Sequence, residues 1–425
     1  MAEPISFEVS NGLPLIKIKP QLSYFVSSIL VLLTIFVLLG ALPSIAQESA
    51  GSSVDTQQVI EIAVELNSLG LPIEMFNGFS ALYEKELGSV KLCDEHIAFN
   101  EYKVCSKALK NEGNSPFILY SKGQLPTQTK VSPQIEPNPE AGVLVKNNST
   151  QSLKRASAPI VVLFHGLSDS PFFVRGIAEH LNSRGFTVVA PLTPGHGKLD
   201  AVADMKDPNL QARWYEHVDK IMALVEPYSD TTFIGGFSTG GTLATRYMIL
   251  QPDEIDGLLL FSGALALSGN AENLGRIWGM KWLAKIVDGD FVSAGPNRYR
   301  YPDVAGYAGL TLADAIFEVR DLLEEKTVSK PIFAAHSLAD ITTPFYGVED
   351  LMNAVKGDHQ TFTIAPSYDT CHQDLVVSAV MMIDLKVDKT QLNISERCAV
   401  PKPNPLFRNM MAMLDYYFAQ RLPAQ

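Results

Sequence analysis

The sequence predicts an α/β fold in which helices cover both faces of a mostly parallel sheet. Short, almost wholly apolar runs such as 160–164, 186–190 and 257–261 alternate with longer segments whose apolar residues recur at helical spacing. Apolar runs without a polar face are typical of strands that are buried on both sides, as in parallel sheets. At 425 residues, the chain is long enough for one large domain with appendages.

The N-terminal segment predicts export. Lys17 and Lys19 precede an almost uninterrupted apolar stretch over 25–42, and Ser44 and Ala46 are the small residues that a signal peptidase needs. The length lies between a signal-peptide core and a spanning helix, so a cleaved signal peptide and a retained membrane anchor both stay open. The lysines favour placing the rest of the chain on the periplasmic or extracellular side, and a retained segment would associate it with a membrane.

The charge and the cysteine positions indicate which partners and cross-links to expect. The chain has 34 basic and 46 acidic residues, a net charge of −12, and no basic stripe interleaved with aromatics, so we expect no nucleic-acid partner. In an oxidising compartment we favour disulfides over free thiols, with Cys93 paired to Cys105 and Cys371 to Cys398, because these loops are the shortest. The cysteine spacing does not match a zinc site, and we predict no metal and no cofactor.

Three regions are predicted along the chain. Residues 1–46 form the export segment, 47–140 form an N-terminal extension to which we assign no function, and 141–425 form the α/β domain. That domain is expected to begin with an entry strand at 142–146.

The elements of the α/β domain follow in order. A strand at 160–164, a helix that Gly185 ends and a strand at 186–190 make a β-α-β unit. A second helix, a strand at 232–235, a helix at 242–251 and further strands at 257–261, 331–335 and 361–365 continue the alternation. The last helix begins with Asn404 as N-cap and Pro405 as its first residue.

The alternation breaks between residues 265 and 325. This insertion holds several aromatic residues amid glycines, including Trp278, Trp282 and Phe291. It follows the strand after the nucleophile helix, and the carboxyl ends of such strands are where these sheets bind ligands. We therefore predict a cap over an active site, with additional core packing as the alternative.

A nucleophilic serine is predicted at Ser238. The sequence Gly236-Phe-Ser-Thr-Gly240 directly follows an apolar strand, and a sharp strand-to-helix turn of this kind exposes a serine hydroxyl for attack on a carbonyl. The glycines leave room for the turn. The N–H groups of the following helix point toward charge that develops on the substrate oxygen.

The serine needs a base and an acid, in the order serine, acid, histidine. Asp340 follows the strand at 331–335, and His372 follows the next apolar run, so both fit. His336 and His359 are interpreted as structural or solvated because of their positions in or before strands. Asp369 and Asp374 flank His372 and are the alternatives to Asp340, but they lie so near in sequence that they rarely reach its Nδ1.

Two backbone amides are expected to bind the oxyanion. Thr239 N–H directly follows the nucleophile, and Leu167 N–H lies in the loop after the strand at 160–164. His165, at the start of that loop, is interpreted as a residue that shapes the loop.

Together these motifs resemble the α/β-hydrolase superfamily, and they are most similar to its branch of monoacylglycerol lipases and carboxylesterases. The similarity covers roughly residues 142–420 and rests on four segments: 165–171 (HGLSDSP), 194–197 (PGHG), 236–240 (GFSTG) and the turn at Asp340. The resemblance implies a triad of Ser238, Asp340 and His372, oxyanion donors at Leu167 and Thr239, and a lid over an acyl-binding pocket. The extension and the stretch 376–403 depart from the family pattern.

The residues and the resemblance predict a serine hydrolase that cleaves small-molecule acyl esters through an acyl-enzyme intermediate. Alternatives with the same triad are a serine aminopeptidase, a thioesterase or an acyltransferase. A catalytically silent hydrolase fold that serves as a binding protein is the alternative from another class.

Overall fold

The structure is a computed structural model, and it describes residues 72–93, 101–121, 158–277, 280, 284, 290–292, 297–301, 303–387 and 397–422. The chain divides into two compact units, Met1–Leu71 and Pro72–Gln425, and the described residues belong to the second. The predicted export segment, the entry strand at 142–146 and the two insertion tryptophans lie outside the described residues. Within the described ranges, no helix combines the length and apolar character that crossing a membrane requires.

Nine of the described strands form one sheet. In chain order the strands are β1 (Lys91–Leu92), β2 (Glu101–Cys105), β3 (Phe117–Leu119), β4 (Ile160–Phe164), β5 (Thr187–Ala190), β6 (Thr232–Phe237), β7 (Gly257–Phe261), β8 (Asp290–Val292), β9 (Asp303–Ala305), β10 (Ile332–Ser337) and β11 (Gln360–Ile364). The sheet order is β1-β2-β3-β5-β4-β6-β7-β10-β11, and β8 pairs with β9 separately. From β5 to β11 the pairings are parallel, whereas β1, β2 and β3 pair antiparallel. The prediction of a mostly parallel sheet is confirmed.

Helices cover both faces of this sheet. They are α1 (Ile73–Leu87), α2 (Arg175–Ser183), α3 (Val202–Met205), α4 (Leu210–Val225), α5 (Thr239–Leu250), α6 (Gly269–Gly275), α7 (Gly306–Glu325), α8 (Tyr346–Ala354), α9 (Met381–Leu385) and α10 (Phe407–Ala419). Along β4, Val162 contributes to one apolar core with α1 and α4, whereas the next residue, Leu163, contributes to a second core with α2 and α10. Successive strand residues point to opposite faces, which is why a strand buried on both sides is apolar throughout.

The strand register brings the carboxyl ends of four strands to one edge. Phe164 of β4 lies opposite Gly236 of β6, and Phe237 of β6 lies opposite Phe261 of β7. Phe261 in turn lies opposite Ala335 of β10. Loops that leave these strands therefore meet at the same edge, which is where ligands bind in open α/β sheets.

The region before the predicted α/β domain contributes to the sheet. The antiparallel strands β1 to β3 lie within residues 47–140, and β3 pairs with β5. Phe117 and Ile118 of β3 are buried, one in each apolar core. The domain boundaries themselves stay a prediction.

The C-terminal part of the predicted insertion is the helix α7. Helix α7 packs on α5 and α4. It places Ala308 and Val319 in the apolar core that contains Val162, so it is the helix that covers the sheet between β7 and β10. Residues 265–305, with α6 and the hairpin of β8 and β9, are left for the predicted cap. The role of that segment as a cap stays a prediction.

The start of α10 differs from the prediction. The helix begins at Phe407, and its N-cap is Leu406. Asn404 instead accepts a hydrogen bond from Leu406 N at 2.8 Å and donates one to Leu375 O at 2.8 Å. Asparagine stabilises turns through this kind of local contact as readily as it caps a helix, so its position alone did not identify the first helical residue.

Candidate active site

Ser238 stands at a tight turn between β6 and α5. Its φ is 53° and its ψ is −118°, a conformation that costs a non-glycine residue energy and that persists only where the surroundings enforce it. The backbone is held on both sides, because Ser238 N donates to Phe261 O at 3.2 Å and Ala264 N donates to Ser238 O at 3.0 Å. The turn therefore presents the serine at the edge where the strand ends meet.

The flanking glycines of this turn are required by close contact. A Cβ on Gly236 would lie 2.5 Å from the carbonyl carbon of Gly240 and 2.6 Å from Phe164 O. A Cβ on Gly240 would collide with Phe164 O. Thr239 is the first residue of α5, where a backbone N–H has no intrahelical acceptor.

The loop after β4, residues 165–170, lies directly beside the serine, and we call it the oxyanion loop. A Cβ on Gly166 would lie 3.1 Å from Ser238 Cβ and 2.6 Å from Asp169 Oδ2, so a larger residue would require these side chains to shift. Leu167 follows Gly166, and the next residue, Ser168, has a φ of 64°. The loop thus brings Leu167 next to the turn at Ser238.

The ring of His165 contacts the backbone at the start of this loop and at Thr193. It is buried, its Nε2 accepts a hydrogen bond from Thr193 N at 3.0 Å, and its Nδ1 lies 2.8 Å from Gly166 O. Burial and the neighbouring His196 lower the pKa of His165 well below its usual value. A neutral imidazole with both nitrogens engaged fits the predicted role of shaping the loop.

Asp340 and His372 form a direct pair. Asp340 Oδ2 lies 2.6 Å from His372 Nδ1, and the carboxylate is fully buried. Its other oxygen, Oδ1, accepts hydrogen bonds from the backbone N–H groups of Thr342 and Thr343 at 2.8 and 3.0 Å. Burial by itself raises the pKa of Asp340, but the charge and hydrogen bond of His372 outweigh burial, and the pKa falls to about 2. The carboxylate is therefore ionised at neutral pH.

The imidazole of His372 packs against the strand that carries the serine. Its ring centroid lies 4.9 Å from that of Phe237, and its side chain is 14% exposed. The described contacts include no hydrogen bond between this imidazole and Ser238 Oγ. Such bonds are often long without substrate and tighten only in the reacting complex.

Sequence reasoning missed Thr343. Its hydroxyl lies 3.0 Å from Asp340 Oδ2, 3.0 Å from His372 Nδ1 and 3.3 Å from Ser262 O. The side chain is buried. In the sequence, the only indication of this contact is that Thr343 lies three residues after Asp340, because a turn can bring the side chain of its last residue close to the carboxylate of its first.

The other histidines are engaged elsewhere. His336 is buried in β10, where its Nε2 lies 2.7 Å from Thr343 O and 3.7 Å from Asp340 Oδ2, and burial lowers its pKa. The Nε2 of His359 lies 2.7 Å from Val355 O. These contacts agree with the interpretation of both residues as structural.

Neither alternative acid contacts His372. Asp369 is half exposed and pairs with Arg397 and Lys402 at 3.0 and 3.2 Å. Asp374 is buried and accepts hydrogen bonds from the backbone N–H groups of Lys402 and Cys371 at 2.9 and 3.3 Å, and its pKa rises to about 6, chiefly because of burial. Both residues organise the loop around the histidine, residues 369–374, which we call the histidine loop.

Both disulfides form with the predicted pairing. Cys93 is bonded to Cys105 across β1 and β2, and Cys371 is bonded to Cys398. The second bond is adjacent to His372. Next to it, Arg397 donates a hydrogen bond to Ala339 O at 3.0 Å, so this segment contacts both the histidine loop and the turn of the acid.

Comparison with known proteins finds similarity over part of this chain. The family model described as "Serine aminopeptidase, S33" matches residues 155–305. The "Thermostable monoacylglycerol lipase" of Bacillus sp. (strain H-257) is 29% identical over 114 residues, or 27% of this chain. The described residues have the α/β-hydrolase fold. The match spans 44% of the length of that lipase.

Two solved structures are also similar to this chain. A structure from the study of LipS and LipT, two metagenome-derived lipolytic enzymes, is 20% identical, with 54% of this chain and 91% of that chain covered and a TM-score of 0.45. The monoacylglycerol lipase of Paleococcus ferrophilus is 20% identical, with 62% and 96% covered and a TM-score of 0.43.

Proposed function

We propose that this α/β-hydrolase cleaves carboxylic esters of acyl chains through a covalent acyl-enzyme. The observation that carries the proposal is the buried Asp340–His372 pair, 2.6 Å apart, on the sheet edge where Ser238 occupies its strained turn. A serine, a base and a group that orients the base are the minimum for nucleophilic acyl transfer. The similarity to a monoacylglycerol lipase supports an ester substrate.

In the proposed reaction, Ser238 Oγ attacks the ester carbonyl carbon while His372 Nε2 takes the hydroxyl proton. Asp340 holds Nδ1–H and stabilises the imidazolium that forms. The negative charge on the carbonyl oxygen would be bound by the N–H groups of Leu167 and Thr239. The alcohol leaves with the proton from His372. A water molecule then attacks the acyl carbon while His372 takes its proton; the bond to Ser238 Oγ breaks, His372 returns the proton to Oγ, and the carboxylic acid leaves.

An apolar cluster supports an acyl substrate. Ala264, Leu267, Leu312 and Ile316 are buried together, and Leu167 of the oxyanion loop packs against them. Ala264 also donates its N–H to Ser238 O at 3.0 Å. These residues pack in the core beside Ser238, and we propose that the acyl chain binds next to them, since sites for such ligands are predominantly apolar.

A serine aminopeptidase is the second candidate, because the matching family model carries that description. An aminopeptidase needs a group that binds the terminal amine of its substrate. Comparing p-nitrophenyl acyl esters with aminoacyl p-nitroanilides separates the two functions. We expect turnover of the esters, and faster turnover of the anilides would favour the peptidase.

The direct test is the substitution Ser238→Ala. We expect the variant to keep the melting temperature of the wild type and to lose p-nitrophenyl ester hydrolysis by about 10⁴-fold or more, since the residues of a triad act as a unit. Full retained activity in the folded variant would refute the proposal.

We also propose that the chain acts outside the cytoplasm. Two disulfides among the described residues are consistent with an oxidising compartment, and the sequence of residues 1–46 has the features of an export signal. Fractionation of cells that express the full chain tests this. We expect the activity in the periplasmic, membrane or extracellular fraction, and activity confined to the cytoplasm would contradict export.

A further inference from the structure

We propose that Arg300 is a positioning residue that holds the oxyanion loop and the histidine loop in register. The inference rests on the proposed function, because it assigns a role in the same reaction. Arg300 lies in the insertion, far from both loops in sequence, and none of the sequence motifs includes it.

The insertion contacts the oxyanion loop at two adjacent points. Arg300 Nε donates to Asp169 Oδ1 at 2.5 Å, and the two side chains are only 7% and 1% exposed. The next residue, Tyr301, donates its backbone N–H to Ser168 O at 2.9 Å. Ser168 has a positive φ and directly follows Leu167, the proposed oxyanion donor. These two contacts therefore fix the part of the loop whose conformation is least favourable by itself.

The same guanidinium contacts the histidine loop. Arg300 Nη1 donates a hydrogen bond to Oε1 of Gln373, the residue after His372. Gln373 is buried, and its Nε2 donates to Cys398 O at 3.4 Å, beside the disulfide. One side chain thus joins the loop that would bind the oxyanion to the loop that carries the proposed base.

The contacts suit arginine in particular. Its planar guanidinium presents several donors in fixed directions, so it can bond to Asp169 and Gln373 at the same time, whereas a lysine ammonium is a compact point charge. The guanidinium also lies 5.2 Å from the ring centroid of Phe173, and Lys110 Nζ donates to Arg300 O at 3.1 Å. The ring restricts where the guanidinium can lie, and Lys110 holds the backbone of Arg300.

Burial of the pair points to geometry and not to stability as its role. The free energy needed to remove two charges from water offsets much of their mutual attraction, so a buried ion pair is weak evidence for stability. The better-supported role of a buried pair is to fix one relative arrangement of the segments that it connects. Here the parts are the Leu167 amide and His372, whose relative position the proposed reaction requires.

The expected effect follows from that geometry. A misplacement of about 1 Å in a catalytic constellation costs on the order of 100-fold in rate. Arg300→Lys keeps a positive charge but loses the bond to Gln373 and the fixed direction of the bond to Asp169, so neither loop is held as before. We expect it to lower kcat by about 10- to 100-fold with little change in KM. Gln373→Met removes the bond to the histidine loop alone, and we expect a smaller loss in the same direction.

The experiment measures kcat and KM of the full chain with a p-nitrophenyl ester and with its thionoester, in which sulfur replaces the carbonyl oxygen. An oxyanion site of N–H donors stabilises O⁻ better than S⁻, so its damage should slow the ester more than the thionoester. Fluorophosphonate titration counts the active sites, and melting temperature reports folding. Arg213→Met is the matched control, since Arg213 pairs with Glu86 at 2.6 Å away from both loops.

We expect Arg300→Lys to lose kcat, to lower the ester-to-thionoester rate ratio and to fold, while Arg213→Met keeps wild-type rates. Wild-type kcat in Arg300→Lys, or equal losses with both substrates, would overturn the inference. If Arg300→Lys does not fold, kcat of Gln373→Met decides: a lower kcat in the folded variant supports the inference, and wild-type kcat overturns it. A Ser238→Ala variant that hydrolyses the ester as fast as the wild type would instead show that the proposed function is wrong.

Discussion

Thr343→Val removes one hydroxyl from the centre of the candidate site. Thr343 Oγ1 lies 3.0 Å from both Asp340 Oδ2 and His372 Nδ1, and the side chain is buried. Valine has nearly the same shape but offers no hydrogen bond. The substitution therefore tests whether this hydroxyl helps to hold the acid and the base together.

The size of the effect follows from the bonds that remain. A hydrogen bond to a charged group is worth about 1.5–3 kcal/mol. Asp340 Oδ1 keeps the two backbone N–H donors at 2.8 and 3.0 Å, and Oδ2 keeps His372 at 2.6 Å, so we take the lower end of this range. About 1.5 kcal/mol corresponds to roughly a tenfold loss in kcat.

The assay is the steady-state hydrolysis of a p-nitrophenyl ester, with Thr343→Ser as the control that keeps the hydroxyl. We expect Thr343→Val to lower kcat about tenfold without changing KM, and Thr343→Ser to stay within about twofold of the wild type. Wild-type kcat in Thr343→Val would refute the reasoning. So would equal losses in both variants, because the methyl group and not the hydroxyl would then matter.

Three further predictions follow from the site and its supports. Asp340→Asn should lower kcat by about 10⁴-fold, as loss of the acid leaves His372 in the wrong tautomer, and a loss below tenfold would contradict the assigned acid. Burial lowers the pKa of His217 from 6.5 to about 4, so the unfolded chain binds more protons below pH 6.5 and the folded state loses stability as pH falls. Urea titration at pH 7.5 and at pH 5 measures how much free energy of unfolding the protein loses between these two values. We expect this loss to be about 2 kcal/mol smaller in His217→Leu than in the wild type, and an equal loss would refute the lowered pKa of His217. The Cys371–Cys398 bond closes a loop with a sequence separation of 27, so replacing both cysteines by serine should cost about 3.5 kcal/mol in urea unfolding; a loss below about 1 kcal/mol would contradict this.

The sequence could predict the sheet and its edge because both depend on local patterns. Continuous apolar runs mark β4 and β7 whatever packs on them, and residues that follow parallel strands must meet at one edge. That is why the sequence alone places Ser238, Asp340 and His372 in loops at the same edge of the sheet. Their catalytic roles await the experiments above.

The rest depends on contacts that no local pattern encodes. Strand β3 has only three residues, and its pairing with β5 is decided by tertiary packing. Thr343 reaches the base only through the shape of its turn, and Arg300 meets Asp169 across 131 residues of sequence. Such long-range contacts are visible only once the chain has folded.

The central claim is that Ser238 is a nucleophile activated by His372 and Asp340. Its most direct test is labelling of the folded full chain with a fluorophosphonate, followed by mass spectrometry of the peptides. We predict a single phosphonyl adduct on Ser238 and none in the folded Ser238→Ala variant. Folded wild-type protein without an adduct, or with an adduct on another residue, would contradict the claim.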